Sequence, residues 1–309
     1  MTPNHGLRNE VSALTAIAAI GSLLFGRTKL ASRLGLIAIG TRLLPLPRYD
    51  FRNRTIIITG GSRGLGFVLA DELLRRGANV SFLARDLNEL SRALKKLEPL
   101  GPERILAIEC DVTNPEQLRN AFLKTWTYFR RIDVLINNAG TVTMAPFEAT
   151  NDEDFTAQME LHFYAALTAI RFLLPYFKAK GGGRIVNISS IGGKVPVPHM
   201  APYCASKFAL SGFSQSIATE LKRHGVIVTT VHPGLMRTGS TIQAVFEGDA
   251  EKEYTGAASR SWFDRQAWSW PLRQLRNRAE KEFNQKEKFD AEYNLNIPTW
   301  IYQIETPHW

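Results

Sequence analysis

Cysteine is scarce in this sequence, which has only Cys110 and Cys204 among its 309 residues. Two thiols so far apart provide no disulfide framework and favour a reducing compartment, so we expect a cytoplasmic protein. Residue pairs with metal-binding spacing are also missing, since the chain has no Cys-x-x-Cys and no His-x-x-x-His. The sequence therefore predicts no metal site.

Long blocks of one charge sign are missing as well. The chain has a formal net charge of +9, with 38 Lys and Arg residues against 29 Asp and Glu. Such an excess is compatible with a nucleic acid, an anionic lipid surface or a phosphorylated ligand. Because the basic residues are mostly interleaved with acidic ones and form no polybasic tail, we expect no nucleic-acid partner.

The first fifty residues lack an apolar run long enough to cross a membrane. Residues 11–26 carry no charge, but as a helix they would span about 24 Å, less than the ~30 Å of a hydrocarbon core. A second apolar stretch, residues 34–40, follows a basic segment. Three interpretations stay open: helices on a membrane surface over residues 11–47, a helical extension packed on the domain or a partner, and a cleaved secretory signal.

From residue 51 onward, apolar strands alternate with helices. The predicted strands are 54–60, 79–84, 104–112, 132–140, 183–190 and 226–234, and the predicted helices are 65–77, 87–99, 114–129, 152–178 and 202–224. This alternation predicts an α/β fold with a doubly wound, Rossmann-type parallel sheet in a single domain. We expect three parts: an apolar N-terminal helical extension (1–50), a dinucleotide-binding and catalytic part (51–240), and a substrate loop with a divergent tail (241–309).

A glycine-rich turn, TGGSRGLG at residues 59–66, joins the first predicted strand to the first predicted helix. Gly60, Gly64 and Gly66 allow a sharp turn and a close approach of the backbone to a pyrophosphate, while the helix start supplies N–H donors. This placement predicts a dinucleotide site, and a purely structural tight turn is the alternative.

The end of the second predicted strand, FLARD, indicates which dinucleotide is bound. An NAD site usually has an acidic residue at this place, but here Ala84 occupies it and Arg85 follows. Arg63 lies in the glycine turn, so two guanidinium groups are available to a ribose 2′-phosphate. We interpret this edge as an NADP site, against the alternative of two solvated arginines on a basic protein.

Two Tyr-x-x-x-Lys pairs occur, Tyr203 with Lys207 and Tyr176 with Lys180. A lysine one helical turn from a tyrosine can favour the phenolate and allow proton transfer near neutral pH. Ser190 lies thirteen residues before Tyr203 at the carboxyl end of a predicted strand, whereas the residue thirteen before Tyr176 has no hydroxyl. We therefore predict that Ser190, Tyr203 and Lys207 are catalytic, and that the other pair serves packing.

Several motifs follow one another within residues 53–240: TGGSRGLG, an Asp-Val pair, NNAG, the strand-end serine, YCASK and HPGLMRT. In order and spacing they resemble the classical short-chain dehydrogenases/reductases. The resemblance implies that Tyr203 is the general acid in carbonyl reduction and that Ser190 orients and polarises the carbonyl. It also implies that Lys207 lowers the pKa of Tyr203 and binds the nicotinamide ribose.

The same resemblance implies further cofactor contacts. Asp111 and Val112 would contact the adenine, residues 138–140 the adenosine ribose side, and residues 233–238 the nicotinamide carboxamide. The predicted cofactor-binding residues are Gly60, Ser62, Arg63, Gly64, Leu65, Gly66, Arg85, Asp111, Val112, Asn138, Ala139, Gly140, Tyr203, Lys207, Pro233, Gly234 and Thr238.

The chain departs from this family in two places. Where the family has an asparagine after NNAG, the matching segment MELHFYAA has His162. In the family, the backbone carbonyl of that residue holds a water in a proton relay to the lysine. His162 is therefore a catalytic candidate through its carbonyl or its imidazole, and an ordinary half-buried histidine is the alternative.

The second departure is the tail. The aromatic residues of 239–271 are candidate walls for an apolar substrate, with scattered core aromatics as the alternative. Residues 272–292 predict a charged helix, and residues 296–305 are a candidate seventh strand.

The finer resemblance is to membrane-associated bacterial carbonyl or ketoacyl reductase-like members, and it implies a homo-oligomer built on helices 152–178 and 202–224. The sequence as a whole predicts an NADP(H)-dependent carbonyl reductase or alcohol dehydrogenase with an apolar small-molecule substrate. The alternative is a catalytically inactive NADP-binding sensor or scaffold, which the unusual tail and His162 suggest.

Overall fold

The computed structural model describes residues 49–234 and two short strands beyond them, at residues 245–246 and 304–305. The described residues from Phe51 onward belong to one compact unit, which contains the whole sheet. The predictions for residues 1–48, for Thr238, for the aromatic residues of 239–271 and for the helix at 272–292 lie outside the described residues. Among the helices that are described, none combines the length and apolar character needed to cross a bilayer.

A parallel sheet forms the centre of this unit. The strands are β1 (Thr55–Thr59), β2 (Asn79–Ala84), β3 (Ile105–Glu109), β4 (Val134–Asn137), β5 (Thr143–Met144), β6 (Gly183–Ile188), β7 (Val226–Val231), β8 (Val245–Phe246) and β9 (Ile304–Glu305). The main sheet has the order β3-β2-β1-β4-β6-β7-β9, and β5 pairs with β8 apart from it. Strand order reverses between β1 and β4, so the predicted doubly wound Rossmann-type fold is confirmed.

Burial on both faces explains why these segments are continuous apolar runs. Ile56, Ile57 and Ile58 in β1 have no exposed surface, although neighbouring side chains point to opposite faces of the sheet. Phe82 and Leu135 in the adjacent strands are equally buried. Each such side chain contributes about 1.5–3 kcal/mol to folding through the hydrophobic effect.

Helices cover both faces of the sheet. They are α1 (Gly64–Arg75), α2 (Leu87–Leu97), α3 (Pro115–Phe129), α4 (Asp152–Met159), α5 (Ala165–Ala179) and α6 (Ala201–Lys222). The side chains of Asp86, Asn114 and Asn151 cap the starts of α2, α3 and α4 by accepting backbone N–H groups. Such caps satisfy donors that a helix cannot pair internally, which explains where these three helices begin.

The long helix predicted over residues 152–178 is divided by a π-helical turn. Residues Glu160–Tyr164 form this turn between α4 and α5. A π-turn inserts one extra residue into the helix and is frequently found at functional sites. His162 lies in its centre and is buried, so the division falls on the residue where the sequence departs from the family pattern.

Most of the predicted strands end later than the strands of the structure, and the extra residues are loops. β4 ends at Asn137 and β6 at Ile188, so residues 138–140 and Ser190 follow the strands instead of ending them. Because carboxyl ends of parallel strands lie along one edge of a sheet, these loops and the glycine turn after β1 meet there.

The tail supplies the last strand of the sheet. Ile304 pairs with Val231 and Glu305 with Thr230, and this pairing is antiparallel. The candidate strand at 296–305 is thus confirmed for its last two residues. An antiparallel strand at the edge of an otherwise parallel sheet is a common arrangement.

Candidate active site

Ser190 and Tyr203 meet at the carboxyl edge of the sheet. Ser190 follows β6, and its hydroxyl accepts a hydrogen bond from the N–H of Gly192 at 3.1 Å. Tyr203 lies in the first turn of α6, close enough to Ser190 for the serine side chain to influence the pKa of the phenol. Two hydroxyl groups that lie close together at one edge can bind the same carbonyl oxygen.

Lys207 lies one helical turn further along α6 and is 4 % exposed. Its ammonium lies 5.7 Å from the centre of the Tyr203 ring and donates to the carbonyl of Ile188 at 3.0 Å. Burial lowers the pKa of Lys207 to about 7, because an apolar surrounding disfavours the charged form. The three predicted catalytic side chains are therefore brought together.

The pKa of Tyr203 does not follow the direction that the resemblance implied. Burial has the largest effect and raises this pKa above its ordinary value of 10.0, while the hydrogen bond to Ser190 lowers it. Since Lys207 is itself partly neutral at pH 7, its charge is a weak influence on the phenol here. Lys207 is not among the causes that shift the pKa of Tyr203, so a lowering of that pKa by Lys207 stays a prediction.

His162 completes the cluster from the π-turn. Its ring packs edge-to-face on Tyr203, with the ring centres 5.4 Å apart. Nε2 accepts the N–H of Thr141 at 3.3 Å, so the ring proton is on Nδ1, which donates to the hydroxyl of Ser206 at 2.8 Å. Ser206 in turn donates to the carbonyl of Tyr203 at 2.8 Å.

These bonds occupy both nitrogens of the imidazole. Burial, and next the charge of Lys207, lower the pKa of His162 well below 6.5, so the ring stays neutral. A backbone N–H cannot pass its proton on, so we interpret the imidazole as a fixed link between the NNAG loop and α6. A relay through the backbone carbonyl of His162 stays a prediction.

His162→Asn is expected to lower the free energy of unfolding by about 1–3 kcal/mol, because the shorter side chain cannot pair with both Thr141 and Ser206. Turnover should fall by no more than about tenfold, since no proton passes through the ring. The pH profile of kcat between about 5.5 and 7.5 should keep its shape, because His162 does not titrate there. Urea unfolding and steady-state kinetics measure these effects, and a profile that changes shape would restore the imidazole relay.

The glycine turn has the geometry of a dinucleotide cradle. Gly60 and Gly64 have φ angles of 66° and 55°, which side chains rarely tolerate. A Cβ at Gly66 would lie 2.1 Å from the carbonyl oxygen of Gly60. The turn therefore requires glycine at these places, as a close approach to a pyrophosphate also does.

The start of α1 fits the same ligand. No side chain caps this helix, and its first turn contains no acidic residue, in contrast to α2, α3 and α4. An uncapped helix start presents N–H donors and a positive dipole end, which together bind phosphate groups. A nicotinamide dinucleotide therefore fits the residues present, with its pyrophosphate at residues 60–66.

Both arginines at the predicted ribose edge have acidic partners. Arg63 donates to Glu89 at 2.7 Å, and the hydroxyl of Ser62 donates to the other carboxylate oxygen of Glu89 at 3.0 Å. Arg85 lies 3.9 Å from Asp111. The side chains of Arg63 and Arg85 remain 50 % and 69 % exposed, so both can reach a ligand at this edge.

The NNAG loop is tied to the glycine turn through Asn138. Its amide donates to the carbonyls of Thr59 and Gly60, each at 2.9 Å. The hydroxyl of Thr59 accepts the N–H groups of Asn138 and Ala139. The Asn138 amide is therefore engaged in holding the turn, and any contact of this loop with the cofactor ribose falls to other groups.

The remaining predicted cofactor residues lie along the same edge. Leu65 and Val112 are buried, so their side chains support the site from below. Gly140 lies next to the catalytic cluster, since a Cβ there would be 2.8 Å from Nε2 of His162. The carbonyl of Pro233 accepts the N–H of Ile191 at 2.9 Å, which places the loop after β7 beside Ser190.

Two buried polar networks lie behind the site, and the sequence did not predict them. In one, the hydroxyl of Ser189 donates to the carbonyl of Lys207 at 3.1 Å and contacts Ser211, which also contacts His232. In the other, Asn137, Asn187 and Ser214 form a chain of 2.8 Å bonds. The first network ties α6 to the ends of β6 and β7, and the second ties α6 to β4 and β6. Their only signal in the sequence is polar residues within apolar strands.

The second Tyr-x-x-x-Lys pair lies at the opposite end of the sheet. The Tyr176 hydroxyl accepts the N–H of Ile132, and Lys180 donates to the Ile132 carbonyl and to Asp133. Asp133 precedes β4, at the amino ends of the strands, where Arg131 also binds it. These bonds confirm that Tyr176 and Lys180 have a packing role.

A glycine-rich turn with an uncapped helix start, beside a Ser–Tyr–Lys cluster at the carboxyl edge of a doubly wound sheet, is the arrangement expected of a nicotinamide-dependent oxidoreductase. Comparison with known families agrees, since the family model for short chain dehydrogenase matches residues 54–247. The chain therefore belongs to the short-chain dehydrogenase family.

Curated relatives and solved structures include both reductases and dehydrogenases. The chain is 36 % identical to 3-ketodihydrosphingosine reductase of Bacteroides thetaiotaomicron over 186 residues, 60 % of this chain and 65 % of that protein. It is 30 % identical to human 15-hydroxyprostaglandin dehydrogenase (NAD(+)) over 209 residues, 66 % and 74 % of the two chains. The structure of L-sorbose reductase from Gluconobacter frateurii with NADPH and L-sorbose has 32 % identity and a TM-score of 0.59, covering 63 % of this chain and 74 % of that one.

Proposed function

We propose that this protein is an NADP(H)-dependent carbonyl reductase or alcohol dehydrogenase that acts on a small apolar substrate. The observation that carries the proposal is the proximity of Tyr203 to both Ser190 and Lys207, at the same sheet edge as the glycine turn. These side chains converge where parallel strands end, which is the usual place for a ligand in this fold.

The chain's own residues handle the substrate oxygen. A bound nicotinamide dinucleotide supplies the hydride for reduction or accepts it in oxidation. The phenol of Tyr203 donates its proton to the carbonyl oxygen in reduction, and Ser190 holds that oxygen by a hydrogen bond. Lys207, close to the Tyr203 ring, supplies positive charge beside the phenolate that remains.

NADP is the proposed dinucleotide because of the charges at the ribose edge. Ala84 ends β2 without a carboxylate, and the exposed guanidinium groups of Arg63 and Arg85 lie at the same edge. A planar guanidinium pairs well with a phosphate. The solved relative with NADPH supports this choice, whereas the name of the human relative specifies NAD(+).

An apolar substrate is supported by two observations. Ile191, directly after Ser190, is an apolar side chain that is 45 % exposed. Two of the relatives are named for a keto group on sphingosine and a hydroxyl group on prostaglandin, both of which are lipids. The L-sorbose reductase structure, in contrast, contains a sugar.

The proposal is tested by offering NADPH or NADH to the purified full-length chain with ketones and aldehydes of increasing apolar length. The oxidation of NADPH is followed by absorbance. We expect its rate to rise with the length of the apolar part of the substrate. Isothermal titration calorimetry measures binding of each cofactor independently. NADPH binding without turnover on any carbonyl would instead favour the sensor or scaffold, and binding of neither cofactor would contradict both functions.

Assembly and location belong to the same proposal. Tyr164 and Phe208, on the two helical segments expected to form a homo-oligomer, are 45 % and 42 % exposed. Aromatic side chains are enriched at protein interfaces. A cytoplasmic location and a membrane-surface role for residues 11–47 stay predictions.

A further inference from the structure

Glu89 lies at the ribose edge of the cofactor site, although neither the glycine motif nor the second strand contains it. It belongs to the first turn of α2, and its side chain is 19 % exposed. One carboxylate oxygen accepts Arg63 at 2.7 Å and the other accepts the hydroxyl of Ser62 at 3.0 Å. Glu89 therefore engages two donors of the glycine turn at once.

A 2′-phosphate would need these same donors. To bind it, Ser62 must redirect its hydroxyl away from Glu89, and the Arg63 guanidinium must share its charge with a second anion. The Glu89 carboxylate would also repel the phosphate, whereas it can accept a hydrogen bond from a ribose 2′-hydroxyl. Asp86 adds a second negative charge nearby, because its carboxylate is close enough to interact electrostatically with Arg63.

We propose that Glu89 is a specificity-determining residue that weakens binding of NADPH relative to NADH. The inference rests on the proposed function, because it presumes that a nicotinamide dinucleotide occupies this site. The Glu89 carboxylate competes with the 2′-phosphate for the same donors. The two arginines therefore favour NADP over NAD less strongly than two arginines without this competitor would.

Glu89→Gln tests this role because it removes the charge and keeps the shape. Glu72→Gln is the matched control: Glu72 also pairs with an arginine, Arg76 at 2.6 Å, but this pair lies on α1 outside the glycine turn. Calorimetry on the full-length chain gives the Kd of NADPH and of NADH for each variant. Glu89→Ala provides a second variant should glutamine retain the bond to Arg63.

We expect Glu89→Gln to lower the Kd of NADPH by about fivefold, with the Kd of NADH unchanged or raised by up to about twofold. Glu72→Gln should change neither value by more than about 1.5-fold, because its charge lies away from the phosphate. The gain in NADPH affinity should become smaller as the salt concentration rises from about 0.05 M to about 0.5 M, because salt screens charges at an exposed edge.

The outcomes distinguish a failure of the Glu89 inference from a failure of the proposed function. An unchanged ratio of the two Kd values in both Glu89 variants would overturn the inference and leave the proposed function intact. Weaker NADPH binding would also overturn it, because Glu89 would then be a support that orients Arg63. A wild-type chain that binds neither dinucleotide would overturn the proposed function and the inference together.

Discussion

Tyr203→Phe is expected to reduce kcat by about a thousandfold, because the variant lacks the phenol proton that Tyr203 is proposed to donate to the substrate oxygen. Phenylalanine keeps the ring that packs on His162, so folding and the cofactor Kd should remain within about twofold of wild type. The measurement is NADPH oxidation under saturating substrate, with calorimetric cofactor binding as the check that the site is intact.

The chain contains its own control for this experiment. Tyr176→Phe removes the hydroxyl of the other Tyr-x-x-x-Lys pair, which bonds to the N–H of Ile132 at 3.3 Å. Its kcat should stay within about twofold of wild type, while its stability falls by about 1 kcal/mol. Equal turnover in the wild type and in Tyr203→Phe would remove the catalytic assignment.

Lys207→Met is expected to stabilise the fold while it abolishes turnover. Lys207 is 4 % exposed, and burial lowers its pKa from 10.5 to about 7. Among the described residues no carboxylate pairs with Lys207. A buried charge without such a partner costs stability, and methionine fills similar space without that cost. The variant also loses the hydrogen bond to the Ile188 carbonyl. After this loss, we expect a net gain in the free energy of unfolding on the order of 2 kcal/mol at pH 7.

The pH dependence gives this prediction a definite sign. Between pH 7 and 10.5 the unfolded chain binds a proton at Lys207 that the folded chain has lost, so wild-type stability from this group rises with pH. Below about pH 7 both states are protonated, and the penalty is complete. The advantage of Lys207→Met should therefore be largest at or below pH 7 and shrink towards pH 10.

Urea unfolding of both proteins at several pH values measures this difference. Lys180→Met is the matched control, since Lys180 is the lysine of the packing pair and donates to Asp133 at 3.1 Å. Its removal should destabilise the fold by about 1 kcal/mol, the opposite sign, because Asp133 loses a charged partner. A Lys207→Met variant that is less stable than wild type at pH 7 would contradict the predicted cost of burying the Lys207 charge.

Much of the catalytic site was predictable because it depends on chain order. Ser190 follows one strand, the glycine turn follows another, and Tyr203 starts the helix after Ser190. Parallel strands bring their carboxyl ends to one edge, so residues that follow different strands must meet. The two Tyr-x-x-x-Lys pairs could be separated for the same reason.

The contacts between separate elements were not predictable. His162 bonds to Ser206, 44 residues away, and Arg63 to Glu89, 26 residues away. Each depends on how a helix docks on its neighbour, and many surface glutamates and buried histidines have the same local sequence. The raised pKa of Tyr203 has the same origin, because burial is a property of the packed site.

The sequence by itself determined the doubly wound sheet, the place of the phosphate turn and the identity of the Ser190, Tyr203 and Lys207 cluster. Periodicity and turn chemistry are local, and the edge where parallel strands end follows from them. Only the tertiary structure decided the π-turn at His162, the antiparallel edge strand β9 and the pairing of Glu89 with the glycine turn. These depend on burial and on distances between elements, which arise when the helices and strands pack together.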